Sequence, residues 1–239
     1  MGEDPGTTLH CVRTPPVIPP LYLSPSTAPQ VIANADAFGL LESYRTGLRS
    51  LIAEGWPYAI DNECFSNGGE VDEPQFFDAL DRHAPYRDRC LFVVIPDVPY
   101  DAVSTLEQFH NYAYTLSEDG WKIALATQNG MRCDDLGIYS GSSYVEWDDF
   151  EALFIGGDNH HKLHGEADIL IAEARRRGKW IHIGRVNSPT RMMRFQSADS
   201  WDGTTIRFEP AHATAIAATV REIRHMRHAG ELWRSSCPS

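Results

Sequence analysis

Little in this chain points to a framework held by disulfides or metal. Its 239 residues include 5 cysteines, Cys11, Cys64, Cys90, Cys133 and Cys237. That number is odd and no Cys-x-x-Cys pair occurs, so neither a disulfide scaffold nor a Cys-rich zinc site is expected. Such usage fits a reduced, cytoplasmic protein. No apolar stretch approaches the ~20 residues of a membrane span. The opening residues, Met1-Gly2-Glu3-Asp4-Pro5, are acidic and lack an apolar stretch, so no secretory signal is expected. Disorder throughout is excluded as well, because a 42% hydrophobic share is ample for a core.

Basic residues are also scarce. Lys and Arg number 21 against 33 Asp and Glu, for a net charge of −12. A chain of that sign does not coat nucleic acid indiscriminately. The deficit is uneven, however. Residues 1–166 hold 9 Lys/Arg against 26 Asp/Glu, whereas residues 167–239 hold 12 against 7. A basic last third on an acidic body is either a local electrostatic footprint or ordinary helix surface.

What the chain does have is a regular alternation of apolar runs and helical patterns. The first thirty residues are Pro-rich (Pro15, Pro16, Pro19, Pro20, Pro25, Pro29) and enclose the short apolar piece Leu21–Leu23. They read as an extended arm leading into a first strand, with residues 31–239 as one domain. Strands are expected at Tyr58–Ile60, Leu91–Ile95, Lys122–Ala126, Ala152–Ile155 and Trp180–Ile183. Between and after them, helices are expected over Pro74–His83, Ala102–Leu116, Glu166–Arg177 (closed by Gly178), Ser188–Gln196 and His212–His228. Continuous apolar strands indicate burial on both faces, as in a parallel sheet covered by helices. The pattern predicts a compact α/β fold, a (β/α)8 TIM-type barrel, with a doubly wound open sheet as the alternative.

The residues that follow the strands carry the chemistry: Asp61, Asp97, Gln128, Gly156-Gly157, Gly184-Arg185 and Asp202. In a barrel these ends share one mouth, where catalytic groups gather. An Asp in that place also makes a good helix N-cap. Three carboxylates, an amide and a Gly-Gly at corresponding ends exceed what capping alone explains.

Taken in order, these segments resemble a known family. They are Ala59-Ile60-Asp61-Asn62-Glu63-Cys64-Phe65, Ile95-Pro96-Asp97, Thr127-Gln128-Asn129-Gly130, Phe154-Ile155-Gly156-Gly157, His182-Ile183-Gly184-Arg185-Val186-Asn187-Ser188 and Asp199-Ser200-Trp201-Asp202-Gly203-Thr204. Together they resemble the tRNA-guanine transglycosylase superfamily over roughly residues 58–207, most closely the branch, frequent in phages, that inserts 7-deazaguanines into DNA. The resemblance implies that Asp202 is the nucleophile and Asp61 the second catalytic carboxyl. It further implies that Asp97, Gln128, Gly156, Gly157 and Gly184 hold the base.

These residue types suit that chemistry. Base exchange at C1′ passes through an oxocarbenium-like centre that a carboxylate can attack, retaining configuration over two displacements. A second carboxyl can shuttle the proton between departing and incoming bases. The N1–H and N2–H₂ donors of guanine suit an acceptor such as Asp97, while Gln128 can both give and accept. Glycines let backbone approach a flat base. A 7-deaza product has carbon where guanine has basic N7, so exchange is expected to run one way.

The departures bear on the substrate. The tRNA enzymes carry a Cys₃His zinc site near the C-terminus, whereas Cys237 stands alone here. That favours DNA over tRNA, with 7-cyano-7-deazaguanine as an example of the incoming base. Asn62-Glu63-Cys64 replaces the family's Ser-Gly-Gly. Glu63 then either adds a carboxylate near the base or points into a wall. Base exchange on tRNA, a non-catalytic barrel that binds a base or nucleic acid, and a hydrolase that leaves an abasic site are the alternatives.

Other clusters read more plainly. Arg185, Arg191, Arg194 and Arg207 flank the ends that bear Gly184 and Asp202, and are expected to contact phosphate. His160, His161 and His164 lie within five residues, but adjacent histidines point apart and no carboxylate has ligand spacing. With Lys162 they are expected to form a polar loop, without metal. Arg175, Arg176, Arg177 and Lys179 suit a helix C-terminus. Arg221, Arg224, Arg227 and Arg234 are expected on the outer face of the last helix, and Cys64 as a small packed residue. No cofactor is expected.

Overall fold

Eight parallel strands close into a barrel in the computed structural model, which describes residues 18–136 and 145–236, with side chains described as far as Gly230. The strands, in chain order and in barrel order, are β1 (Leu21–Ser24), β2 (Phe38–Ser43), β3 (Tyr58–Asp61), β4 (Cys90–Val94), β5 (Ile123–Thr127), β6 (Ala152–Ile155), β7 (Trp180–Ile183) and β8 (Ser200–Asp202). The helices are α1 (Pro29–Ile32), α2 (Ser50–Ala53), α3 (Glu73–His83), α4 (Ala102–Glu118), α5 (Asn159–Leu163), α6 (Glu166–Arg176), α7 (Pro189–Arg194), α8 (Thr205–Phe208) and α9 (His212–Ser236). The chain therefore forms the closed (β/α)8 barrel and not the open sheet. Closure runs through β1, whose Leu21 and Leu23 lie opposite Ser200 and Asp202 of β8. Residues up to 17 of the expected arm, with Cys11 and Cys237, lie outside the described residues, as does the side chain of Arg234.

The continuous apolar strands have the physical cause expected of them. Side chains alternate between the two faces of a strand. One set, including Leu23, Leu41, Ala59, Phe92, Val94, Ala126 and Ala152, packs inside the barrel. The other, including Tyr22, Leu40, Ile60, Val93, Leu125, Leu153, Ile183 and Trp201, packs against Phe76, Leu106, Phe109, Leu170, Ile216 and Val220 of the helices. Both faces are dry.

The same alternation positions the site. Moving two residues along from inward Ala59 leads to Asp61, from Ala126 to Gln128, from Phe154 to Gly156, from His182 to Gly184 and from Ser200 to Asp202. All five end residues thus face the one mouth at the C-terminal ends of the strands. Helix capping falls to other side chains. Asp72, Asp101 and Asp158 accept the backbone N–H groups of Gln75, Ser104 and His161 at the starts of α3, α4 and α5. Asp61, Asp97 and Asp202 cap no helix.

Three expectations need correction. The segment holding His160 and His161 is helix α5, not a loop, because Asp158 caps it and His161 is buried. The last helix runs to Ser236, eight residues past the expected end. Its arginines do not simply line an outer face. Arg221 pairs with Asp36 at 2.5 Å, Arg224 donates to the Pro20 carbonyl at 2.8 Å, and Arg227 donates to the Gln196 and Ala198 carbonyls. These bonds strap α9 to the segments just before β1, β2 and β8. Among the described residues no helix is long and apolar enough to cross a membrane.

Candidate active site

A cavity of about 500 Å³ opens at the mouth and is lined by Asp61, Asp97, Gln128, Gly156, Gly157, Gly184, Arg185, Asp202 and Arg207. Both expected catalytic carboxylates and all five expected base-binding residues therefore meet in one place. Asn62, Glu63, Phe65, Tyr100 and Lys162 line it as well. Of the remaining expected phosphate contacts, Arg191 stands nearby, donating to Asn159 Oδ1 at 2.5 Å. Arg194 does not reach the cavity lining. It pairs with Asp168 at 2.7 Å and lies over the Phe195 ring.

The two carboxylates differ in surroundings. Asp61 is half-buried at the end of β3, and burial, together with the charges of Asp202 and Asp97, pushes its carboxyl up to about 7. Near neutrality it can both hold and release a proton. Asp202 is instead anchored through one oxygen. Its Oδ1 lies 3.0 Å from His182 Nε2 and accepts the Arg185 backbone N–H at 3.0 Å. Oδ2 has no protein donor among the described residues. Arg185 reaches this geometry with φ of 58°, a left-handed conformation that turns its N–H back over the end of β8. Glu63 (φ 53°) and Tyr100 (φ 69°) are the other non-glycine residues of positive φ among the described residues, and both line the same cavity. Strained backbone of this kind is costly and gathers at functional sites.

Asp97 and Gln128 are already bonded to one another. Asp97 Oδ1 accepts from Asn62 Nδ2 at 2.7 Å, its Oδ2 accepts from Gln128 Nε2, and Gln128 Oε1 accepts the Tyr100 N–H at 2.7 Å. Burial pushes the Asp97 carboxyl up to about 6 although both amide bonds pull it down. Each carboxylate oxygen keeps a second lone pair and the amide nitrogen keeps a second N–H. The pair is a preset donor–acceptor edge for a flat polar ligand. Gly156 brings backbone beside it, since a Cβ there would stand 2.7 Å from the Thr127 carbonyl oxygen and 3.0 Å from Gln128 Nε2. Gly157 has φ of +68°, which favours glycine for a second reason.

The cavity is electrostatically divided. Asp61, Glu63 and Asp97 crowd the β3–β4 side, with Glu63 held by Ser43 Oγ and by Arg45 at 3.4 Å. Lys162, Arg185 and Arg207 line the β6–β8 side. Among the described residues none of these three, nor Arg191, has a carboxylate within 4.0 Å. Lys162 is buried, donates to the Gly184 carbonyl at 2.9 Å, and is lowered to about 8 by burial and by Arg185. Arg185 donates to the Gly157 carbonyl and lies 4.1 Å above the Phe65 ring.

No family model matches the chain, and no curated protein matches it.

Three participants escaped the sequence reading. His182 was visible only as part of a segment, and its bond to Asp202 depends on the β7–β8 register, which sets His182 beside Ser200. Lys162 carried a charge but no sign of burial. Asn62 holds Asp97 through a contact between neighbouring strand ends. The histidines do not form a metal set: His161 Nε2 lies 3.2 Å from Thr127 Oγ1, and the His160 and His164 rings stack on each other. Among the described residues no group of three His, Cys, Asp or Glu side chains could hold a metal. Cys64 is buried, and its thiol is pushed up to about 12 by burial, as fits a packing residue.

Proposed function

We propose that the chain is a transglycosylase that exchanges guanine in DNA for a 7-deazaguanine. The observation that carries this reading is the meeting of two differently held carboxylates, Asp61 and Asp202, beside the Asp97–Gln128 edge in one cavity. Enzymes separate acid and nucleophile roles by giving two carboxyls unlike environments.

In the first step Asp202 Oδ2 attacks C1′ of the flipped-out nucleotide. The C1′–N9 bond breaks, its electron pair leaves with guanine, and Asp61 supplies the proton that neutralises the departing base. In the second step Asp61 takes the N9 proton of the incoming 7-deazaguanine. N9 then attacks C1′ and the Asp202–C1′ bond breaks, regenerating both carboxyls. Two inversions retain the configuration. Asp97 accepts from the N1–H and N2–H₂ donors of either base, and the spare N–H of Gln128 reaches toward O6.

The cationic side of the cavity supports a polynucleotide substrate over a free base alone. Arg185, Arg207 and Lys162 line the cavity without carboxylate partners and would take the phosphates flanking an extruded nucleotide, contacts that fix register without reading sequence.

The test is direct. DNA and a radiolabelled 7-deazaguanine, such as 7-cyano-7-deazaguanine, are incubated with the protein, and label in DNA is counted. The expected result is incorporation by the wild type and none by Asp202→Ala. No incorporation by the wild type, or full incorporation by Asp202→Ala, overturns the assignment. Label entering tRNA and not DNA moves the substrate to tRNA, and alkali-labile breaks without label show a hydrolase.

A further inference from the structure

We infer that His182 is a positioning residue for Asp202, held in its Nε2–H tautomer by a hydrogen-bond chain from Trp180 through Ser200, and that it leaves Asp202 Oδ2 as the one reacting oxygen. The inference deepens the transglycosylase reading and rests on it for the role of Asp202.

The direction of the chain follows from its first member. An indole N–H only donates, and Trp180 Nε1 lies 2.8 Å from Ser200 Oγ. Ser200 Oγ is therefore an acceptor there and has one hydrogen left to give. Its other bonded partner among the described residues is His182 Nδ1, at 2.8 Å. If the hydroxyl donates to Nδ1, the imidazole proton sits on Nε2, which lies 3.0 Å from Asp202 Oδ1. The opposite tautomer leaves the Ser200 hydrogen without an acceptor and sets a nitrogen lone pair against a carboxylate oxygen. Every donor in the chain finds an acceptor in only one direction.

Packing keeps the ring in this plane. His182 is fully buried, with Phe154 at 4.6 Å and Phe92 at 5.3 Å between ring centroids. Ser200 and His182 face each other because they are register partners across β7 and β8. Two N–H groups, from His182 and from the Arg185 backbone, converge on Oδ1. The carboxylate then cannot rotate without breaking both, and Oδ2 stays turned to the cavity.

The test has two arms. In the first, the protein is labelled with ¹⁵N-histidine and the tautomer of His182 is read by NMR, with Trp180→Phe and Ser200→Ala as variants and Ser200→Thr as the hydroxyl-keeping control. The expected wild-type state is Nε2–H, with the Nδ1 resonance shifted in Trp180→Phe and Ser200→Ala, where the hydroxyl that donates to Nδ1 is disoriented or gone, and close to wild type in Ser200→Thr. An Nδ1–H ring in the wild type, or signals unchanged in both Trp180→Phe and Ser200→Ala, overturns the inference. In the second arm, base exchange by Ser200→Ala is expected to lose about tenfold or more in kcat, with the KM for the incoming base unchanged and Ser200→Thr close to wild type. Unaltered kcat in folded Ser200→Ala overturns the positioning role. If the tautomer behaves as stated while the wild type exchanges no base, the hydrogen-bond chain stands and it is the transglycosylase reading that fails.

Discussion

Asn62 ties Asp97 to the barrel: its Nδ2 lies 2.7 Å from Asp97 Oδ1 and equally close to the Ile95 carbonyl. Its own side-chain oxygen accepts the Cys64 N–H at 2.9 Å. One amide thus holds a carboxylate, a strand end and the following turn. Asn62→Ala leaves a buried carboxylate oxygen and a carbonyl short of a donor, which costs about 2 kcal/mol. Urea denaturation at pH 8 is expected to show that loss, together with weaker binding of guanine. A change below about 0.5 kcal/mol would mean that water replaces the amide without penalty.

Asp61 makes stability and activity depend on pH in a defined direction. Its carboxyl titrates near 7 in the folded protein, against about 4 in an unfolded chain. Folding therefore favours the protonated form. That contribution is complete below about pH 4 and is lost as pH rises through 7. Asp61→Asn carries no such dependence, so it is expected to be more stable than wild type at pH 8, by about 2 kcal/mol after allowing for solvent in the cavity. The advantage should vanish toward pH 4. Thermal melts of both proteins across this range check it, and equal pH slopes would contradict it. If Asp61 acts as the acid of the proposed base exchange, that activity is expected to decline above pH 7.

Much of this arrangement is legible in the sequence. The barrel follows from apolar strands buried on both faces, and the mouth residues from their place just after each strand; that Asp61, Gln128 and Asp202 stand two positions beyond small inward residues shows only in the closed barrel. β2 was not legible, since Gly39 and the charged Glu42 interrupt its apolar run. Glu42 is fully buried with Arg49 Nε at 3.3 Å and His83 Nε2 at 3.7 Å, although neither of its oxygens has a hydrogen-bond donor among the described residues. Nor could the pairing of His182 with Asp202 be read, because it depends on which residues of β7 and β8 lie opposite one another. The Asp residues that cap helices and those that line the cavity look alike in the sequence. What separates them is whether a helix begins immediately after.

Gly184 is a test of how tightly the mouth is built. A Cβ there would sit 2.7 and 2.8 Å from two atoms of the Phe154 ring and 3.5 Å from Asp202 Oδ1. The ring has little room to yield, since it also packs on His182. Gly184→Ala is expected to cost about 1–3 kcal/mol of stability through overpacking, and to lower kcat more than base affinity because His182 moves with Phe154. Gly165→Ala is the control, because a Cβ there meets nothing within 4 Å. If both variants melt together, the close approach at Gly184 carries no strain.

The uneven charge has a measurable consequence. A net −12 chain that binds DNA must do so through few contacts, and the cavity-lining cations Arg185, Arg207 and Lys162 are the ones free of carboxylate partners. Each phosphate contact contributes about 0.9 to the slope of log affinity against log salt. Removing Arg185 and Arg207 together is therefore expected to reduce that slope by nearly 2. Arg194→Ala is expected to leave it unchanged, because Arg194 is committed to Asp168 away from the cavity. Lys162 adds a pH dependence. Its ammonium is lowered to about 8, so the contribution of Lys162 to affinity should fade between pH 7 and 9, and Lys162→Met should abolish that fading. Fluorescence anisotropy with a short DNA over a salt series measures all three effects. A slope that responds to Arg194 and not to Arg185 and Arg207 would move the footprint from the cavity to the outer helices.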